Sequence, residues 1–144
     1  MNDLMSLTAL VFKGMPSVER QAKLHDFDVD SYTGEIIPHD SSISNFNWQD
    51  AISTKVQFGN ISNVYYIKSI VRKVLKNKTS FLERLVLYSG SHAGDKIESD
   101  LFEDILREVD VLEKSSVPEA KSFASDIRCL VEAAIREGNP IVFV

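Results

Sequence analysis

Apolar and polar positions along the chain follow two different periods, and the points where one gives way to the other divide it into elements. Leu4 to Phe12 (LMSLTALVF) is an apolar, partly β-branched run bounded by Lys13-Gly14 and Met15-Pro16, the pattern of a buried strand. Residues 17 to 24 (SVERQAKL) are good helix formers of weak periodicity, compatible with a helical turn or an irregular connection. From Asp26 to Pro38, Phe27 and Val29 alternate with acidic neighbours before Ser31-Tyr32-Thr33-Gly34 turns the chain into Glu35-Ile36-Ile37. That predicts a β-hairpin with its acidic side chains facing water. His39 to Asn47, rich in Ser and Asn, reads as a mobile surface loop, and Ala51 to Phe58 as a strand closed by Gly59-Asn60.

The period then lengthens. Val64, Ile67, Ile70, Val71, Val74 and Leu75 recur at three- and four-residue steps, predicting a helix from about Ser62 to Asn77 with Lys68, Arg72, Lys73 and Lys76 on its other face. Basic residues near its end, Lys76 and Lys78, suit the helix dipole. Phe81 to Tyr88 (FLERLVLY) reads as a strand, interior to a sheet because Leu85-Val86-Leu87 is continuously apolar. Ser89 to Asp95 is a tight connection, after which Ser99 is placed to cap a helix reaching about Glu113. Its stripe is Leu101, Phe102, Ile105, Val109 and Leu112, with Asp100, Glu103 and Asp104 in the first turn, where the dipole favours them. Pro118 opens the next helix, which runs to about Glu137, buries Ala120, Phe123, Ala124, Ile127, Leu130, Val131 and Ala134, and stops at Gly138-Asn139-Pro140. Ile141 to Val144 is a last strand, expected to pair inside the sheet.

This order predicts an α+β or α/β fold: a single domain spanning 1–144, with a mixed β-sheet and about three main helices. Strand 51–58, helix 62–77 and strand 81–88 would form a right-handed crossover with its two strands parallel, and the tail strand would run antiparallel to 81–88.

Composition agrees. With 144 residues, 44% hydrophobic and 26% charged, the chain suits one core of ordinary size, and 4 Pro, 6 Gly and no repetitive tract exclude disordered, fibrous and solenoid classes. No apolar run approaches the roughly 18 residues of a membrane span, and no basic segment precedes an apolar run at the start, so a cytoplasmic protein without a signal peptide is expected. The single Cys129 cannot form an internal disulfide, which fits a reducing compartment. It lies beside the apolar stripe of the last helix and is expected to be a small buried side chain.

Charge changes the picture more. The net charge of -5 disfavours a nucleic-acid partner. Residues 95–114 hold eight acidic and three basic side chains, whereas 68–84 hold six basic and one acidic, so the chain is dipolar. Two amphipathic helices with solvated outer faces account for this. A sharper reading makes the acidic side a docking surface for a basic protein, with Asp26, Asp28, Asp30, His92, Asp95, Asp100, Glu103 and Asp104 as candidate partner-binding residues.

Candidate chemistry is sparse. In Ser89-Gly90-Ser91-His92-Ala93-Gly94-Asp95-Lys96, three residues separate the glycines where a phosphate loop needs four, and Asp95-Lys96 stands where Lys-Ser/Thr belongs. Ser91, His92 and Asp95 are the residue types of a hydrolytic triad, yet adjacent Ser and His in a short loop cannot easily align. A structural turn, with its glycines at positive φ, is the simpler account. Asp26-Phe27-Asp28-Val29-Asp30 imitates half a calcium loop, but Ser31 and Ile37 occupy the positions that need Gly and Glu. His25, His39, His92 and Cys129 lack metal-ligand spacing. No catalytic residue, metal or cofactor is assigned.

Three fragments, LVLYSGSHAGDKI at 85–97, LFEDILREVDVL at 101–112 and AAIREGNPIVFV at 133–144, together resemble small α/β immunity proteins of polymorphic-toxin and contact-dependent growth inhibition systems. The resemblance covers the last 60 or so residues. It implies a non-enzymatic cytoplasmic inhibitor whose partner is a cognate toxin C-terminal domain, frequently a nuclease, with no nucleic-acid or membrane partner. It carries over no binding residue, since such interfaces differ from pair to pair. The competing reading is a small ligand-binding or hydrolytic enzyme using the 89–96 loop.

Overall fold

The strand β1 (Leu7–Phe12) is buried at every position, which accounts for its unbroken apolar sequence. It lies inside a four-stranded sheet of order β4-β1-β6-β5, formed with β4 (Ile52–Gly59), β5 (Lys96–Ile97) and β6 (Ile141–Phe143). The computed structural model describes residues 6–13, 27–29, 36–38, 52–77 and 79–144. β1 pairs with β4 from Leu7↔Gly59 to Phe12↔Ile52, with irregularities at Leu7/Thr8 and Val11/Phe12, and with β6 through Ala9↔Phe143 and Leu10↔Val142. β4 is an edge strand whose only buried residue is Phe58, in keeping with its half-polar sequence ISTKVQFG. The tail strand is interior as expected, with Ile141, Val142 and Phe143 all buried between β1 and β5. A separate pair, β2 (Phe27–Val29) with β3 (Ile36–Pro38), forms the expected antiparallel hairpin.

Gly59 takes a positive φ of 102° at the end of β4, and the Asn60 side chain accepts a 2.9 Å hydrogen bond from the Asn63 amide to start α1 (Ile61–Leu75). Val64 and Val71 are buried, with Ile67, Ile70, Val74 and Leu75 packed against the same core. The helix ends where Lys76 adopts a left-handed conformation, its N–H bonded to the Arg72 carbonyl.

The segment 81–88 corrects the sequence reading. It is not a strand: α2 (Phe81–Leu85) is a short helix followed by a turn. Ser80 Oγ accepts from the Glu83 amide at 3.2 Å, and the Glu108 carboxylate accepts from the Phe81 and Leu82 amides at 2.8 Å each. Three otherwise orphan donors are thus satisfied, which favours helix over extended chain. Leu82, Val86 and Leu87 reach the interior from this turn, so the apolar run is real although its period was misread. Without that strand there is no parallel crossover. The fold is α+β, and the mixed sheet expected from 81–88 is instead antiparallel at every pairing.

A 3-10 turn at Ser99–Leu101 leads into α3 (Phe102–Glu113). Glu98, not Ser99, holds the cap position of that turn, and no side chain caps it. α4 (Pro118–Glu137) begins on its proline, buries all seven expected residues and also Ala133, and ends at Gly138, whose φ is 68°. It packs on β1, β4, α1 and α3. Asn139, 4% exposed, donates to the Phe12 carbonyl at 2.9 Å and the Lys13 carbonyl at 3.2 Å, fastening the helix end to β1. Cys129 is exposed, against expectation. It lies in line with Ser125, Glu132 and Arg136 on the solvent side of α4, one step off the apolar stripe. Among the described residues no helix is long and apolar enough to cross a membrane. The expected segments 17–24 and 39–47 lie outside the described residues.

Candidate functional site

The 89–96 loop is held by its own polar groups. Gly94 takes φ 97°, and its N–H donates to the Phe143 carbonyl at 2.8 Å while the Phe143 N–H donates to Asp95 O at 2.9 Å, which extends the sheet into the loop as β5. Gly90 serves a different purpose from the one expected, since its φ is not positive. A Cβ there would meet Ile61 Cγ1 at 2.4 Å and Ile61 Cα at 3.0 Å, so the loop lies directly on the first turn of α1. Ser89 Oγ donates to the Ser91 carbonyl at 3.0 Å and accepts from the Ser91 amide at 3.3 Å.

His92 is the centre of this loop. Its side chain is only 5% exposed and stacks beneath the Tyr88 ring, with centroids 4.5 Å apart, and against Phe143 at 4.2 Å. Nε2 lies 2.9 Å from the Val86 carbonyl oxygen, an acceptor, so Nε2 carries the proton. Nδ1 is buried without a hydrogen bond and stands 3.2 Å from Asp95 Oδ2. Tyr88 donates its hydroxyl to the same carboxylate oxygen. Burial, then this hydrogen bond and the charge of Asp95, push the Tyr88 phenol up to about 12. Neither imidazole nitrogen is turned toward Ser91, and the ring serves as packing between two aromatic side chains.

The acidic helix is also internally engaged. Arg107 binds Glu103 at 3.2 Å and Asp104 at 2.9 Å. Arg128, reaching across from α4, takes Glu113 through two bonds of 2.9 and 2.7 Å and Asp110 at 2.5 Å. The hydrogen bonds from Arg128 hold the Glu113 carboxyl below its usual range, against a smaller opposing effect of burial. Glu108 caps α2. Of the acidic triplet expected to meet a partner, Asp100 alone forms no ion pair with a described residue. The structure therefore gathers Asp100, Glu103 and Asp104 at the start of α3, and places His92 inside the protein with Asp95 beside it. The side chains of Asp26, Asp28 and Asp30 lie outside the described residues.

A surface that the sequence reading had assigned only to solvent stands out on α1. Tyr65 is 57% and Tyr66 51% exposed. Lys68 Nζ sits 5.6 Å from the Tyr65 ring centroid, and the Tyr66 hydroxyl donates to Glu119 Oε2 at 2.9 Å. Arg72 is held by the buried Glu83 at 2.6 and 2.9 Å. Lys68, Lys73 and Lys76 have no carboxylate within ion-pair distance among the described residues. The signal available beforehand was Tyr65-Tyr66, two aromatic residues off the apolar stripe of an otherwise regular helix. A cavity of about 220 Å³ beside Tyr66 is lined by Phe58, Ile67 and Phe123 together with Glu119 and Asp126. Burial pushes the Asp126 carboxyl up from its usual range. No group of His, Cys, Asp and Glu among the described residues could hold a metal ion.

Comparison of the chain with protein-family models, with curated proteins and with solved structures gives no match.

Proposed function

We propose that the chain is a cytoplasmic immunity protein that binds and neutralises the C-terminal domain of a cognate toxin by protein-protein contact, without catalysis. The observation that carries this reading is where the polar and aromatic groups stand. The imidazole of the one loop with catalytic residue types is packed between Tyr88 and Phe143 and bonded to a backbone carbonyl, while Tyr65 and Tyr66 stand exposed on a regular helix. Large amphipathic rings on a rigid element are what protein interfaces use as anchors. The resemblance of the 85–97, 101–112 and 133–144 fragments to immunity proteins points the same way. The acidic balance that favoured a nuclease toxin has lost part of its force, because α3 meets its carboxylates with Arg107 and Arg128.

The hydrolase alternative required His92 to face a cleft next to Ser91, and its packing weighs against that. The test is genetic. The reading frame immediately upstream should encode the end of a large secreted toxin, and co-expression of this chain should restore growth to cells making that toxin domain. A neighbourhood without such a frame, or growth arrest unaffected by the chain, would count against the proposal.

A further inference from the structure

The two charged sides of the molecule differ in a way that their residue counts hide. On the acidic side, Glu103, Asp104, Asp110 and Glu113 are each within 3.2 Å of an arginine nitrogen, and Glu108 is bonded to backbone amides. On the basic side, Arg72 is engaged by Glu83, but Lys68, Lys73 and Lys76 keep their charges unpaired among the described residues. Lys73 and Lys76 stand at the end of the helix, where its dipole favours cations, and Lys68 stands two turns earlier over the Tyr65 ring. Around the lysines stand Tyr65 and Tyr66, whose rings offer apolar area that loses little side-chain entropy on contact.

We propose that this face of α1, formed by Tyr65, Tyr66, Lys68, Lys73 and Lys76, is the partner-docking surface, and that its partner presents a carboxylate-bearing protein surface. The proposal rests on the reading of the chain as a toxin-binding protein and reverses the polarity expected from its overall charge. A protein fits better than a nucleic acid for two reasons. Glu119, bonded to Tyr66, borders the face, so a continuous line of phosphates would run into negative charge there. The whole chain also carries -5, which opposes a polyanion at longer range, whereas a protein surface can place a few carboxylates opposite three lysines and leave the rest neutral. Charge complementarity of this kind acts mainly on the rate of encounter and on specificity, while the tyrosines hold the complex once formed.

The experiment is a nuclear magnetic resonance titration of the full chain, labelled with nitrogen-15, at low salt. One probe is a glutamate decapeptide, the other a thymidine oligonucleotide of the same charge. Expected are amide shifts concentrated at 61–76, binding about tenfold weaker in the Lys68→Glu/Lys73→Glu double variant, and weaker binding of the oligonucleotide than of the peptide. Both lysines are exposed or half-buried and form no ion pair among the described residues, so the double variant should stay folded, with a thermal midpoint lowered only slightly because Lys73 stands in the last turn, where the helix dipole favours a cation; the midpoint is checked first. No shifts with millimolar peptide, shifts centred elsewhere, or unchanged binding by the double variant would overturn the proposal. Tighter binding of the oligonucleotide would assign the face to nucleic acid instead. Growth protection separates the two levels. If wild type and double variant protect equally, the toxin reading stands and the α1 face is wrong. If wild type fails to protect, the toxin reading falls and the titration alone decides the face.

Discussion

His92 shows how one side chain changes meaning between sequence and structure. Beside Ser91 and Asp95 it looks like chemistry; in place, its Nε2 proton lies on the Val86 carbonyl and its ring fills the space between Tyr88 and Phe143. Glu108 shows the reverse. It reads as one more acid on a solvated helix, yet both of its oxygens bond to the first amides of α2. Glu108→Ala should therefore destabilise the protein by about 1–2 kcal/mol, the usual loss for a helix cap, and Glu108→Gln, which keeps one acceptor, by less. Urea unfolding monitored by circular dichroism checks the ranking; equal midpoints for the three proteins would contradict it. Arg128 allows a pH test. Its bonds hold the Glu113 carboxyl below the usual 4.5, so their stabilisation is fully present above that pH and is lost as pH falls through the lowered folded value. Thermal midpoints of wild type and Arg128→Ala should differ at pH 7 and converge on acidification below about 4.5. A gap that stays constant would show that Arg128 acts through packing alone.

At the scale of elements, the three long helices were legible because each buries a full stripe, and β1 and β6 because each is a continuous apolar run. α1, α3, α4, β1 and β6 come out within a few residues of their expected bounds, with Pro118 and Gly138 at the ends of α4. What failed was short or depended on distant partners. The run 81–88 has the composition of a buried strand, and its capping signature Ser80-Phe81-Leu82-Glu83 forms no part of the strand reading. The second cap, from Glu108, is 26 and 27 residues away and has no local signal. β5 has only two residues and exists because the tail strand arrives beside it, a pairing no window of sequence contains. The candidate site was less legible than the fold. The acidic residues were found from charge alone, but charge does not say which carboxylates are already paired, and exposed Tyr65-Tyr66 received no weight. β6 supplies the prediction at this scale. Ile141, Val142 and Phe143 are each at most 2% exposed and lie between β1 and β5. Deleting 141–144 removes about 1.5–3 kcal/mol for each of these side chains, comparable to the whole stability of a small domain. The truncated chain should be insoluble or lack a cooperative melting transition; a normal transition would show that the sheet tolerates losing an interior strand.

At the scale of the whole molecule, charge among the described residues is segregated between α1 and α3, and the two helices are built differently. Arg107 and Arg128 both pair with α3 carboxylates and lower the field a partner meets; the well-exposed Arg107 pairs contribute little to stability, while the half-buried Arg128–Glu113 pair contributes more. On α1, Lys68, Lys73 and Lys76 have no ion-pair partner among the described residues and stand around two exposed rings, which is why this face is proposed as the docking surface despite the net charge of -5. The most direct measurement is hydroxyl-radical footprinting of the full chain, alone and mixed with the polypeptide encoded by the final stretch of the upstream reading frame. The account predicts that Tyr65 and Tyr66 lose reactivity in the mixture while Tyr88 and Val111, exposed at 45% and 49%, keep theirs. Unchanged reactivity at Tyr65 and Tyr66, with protection at Val111 or Tyr88 instead, would contradict it.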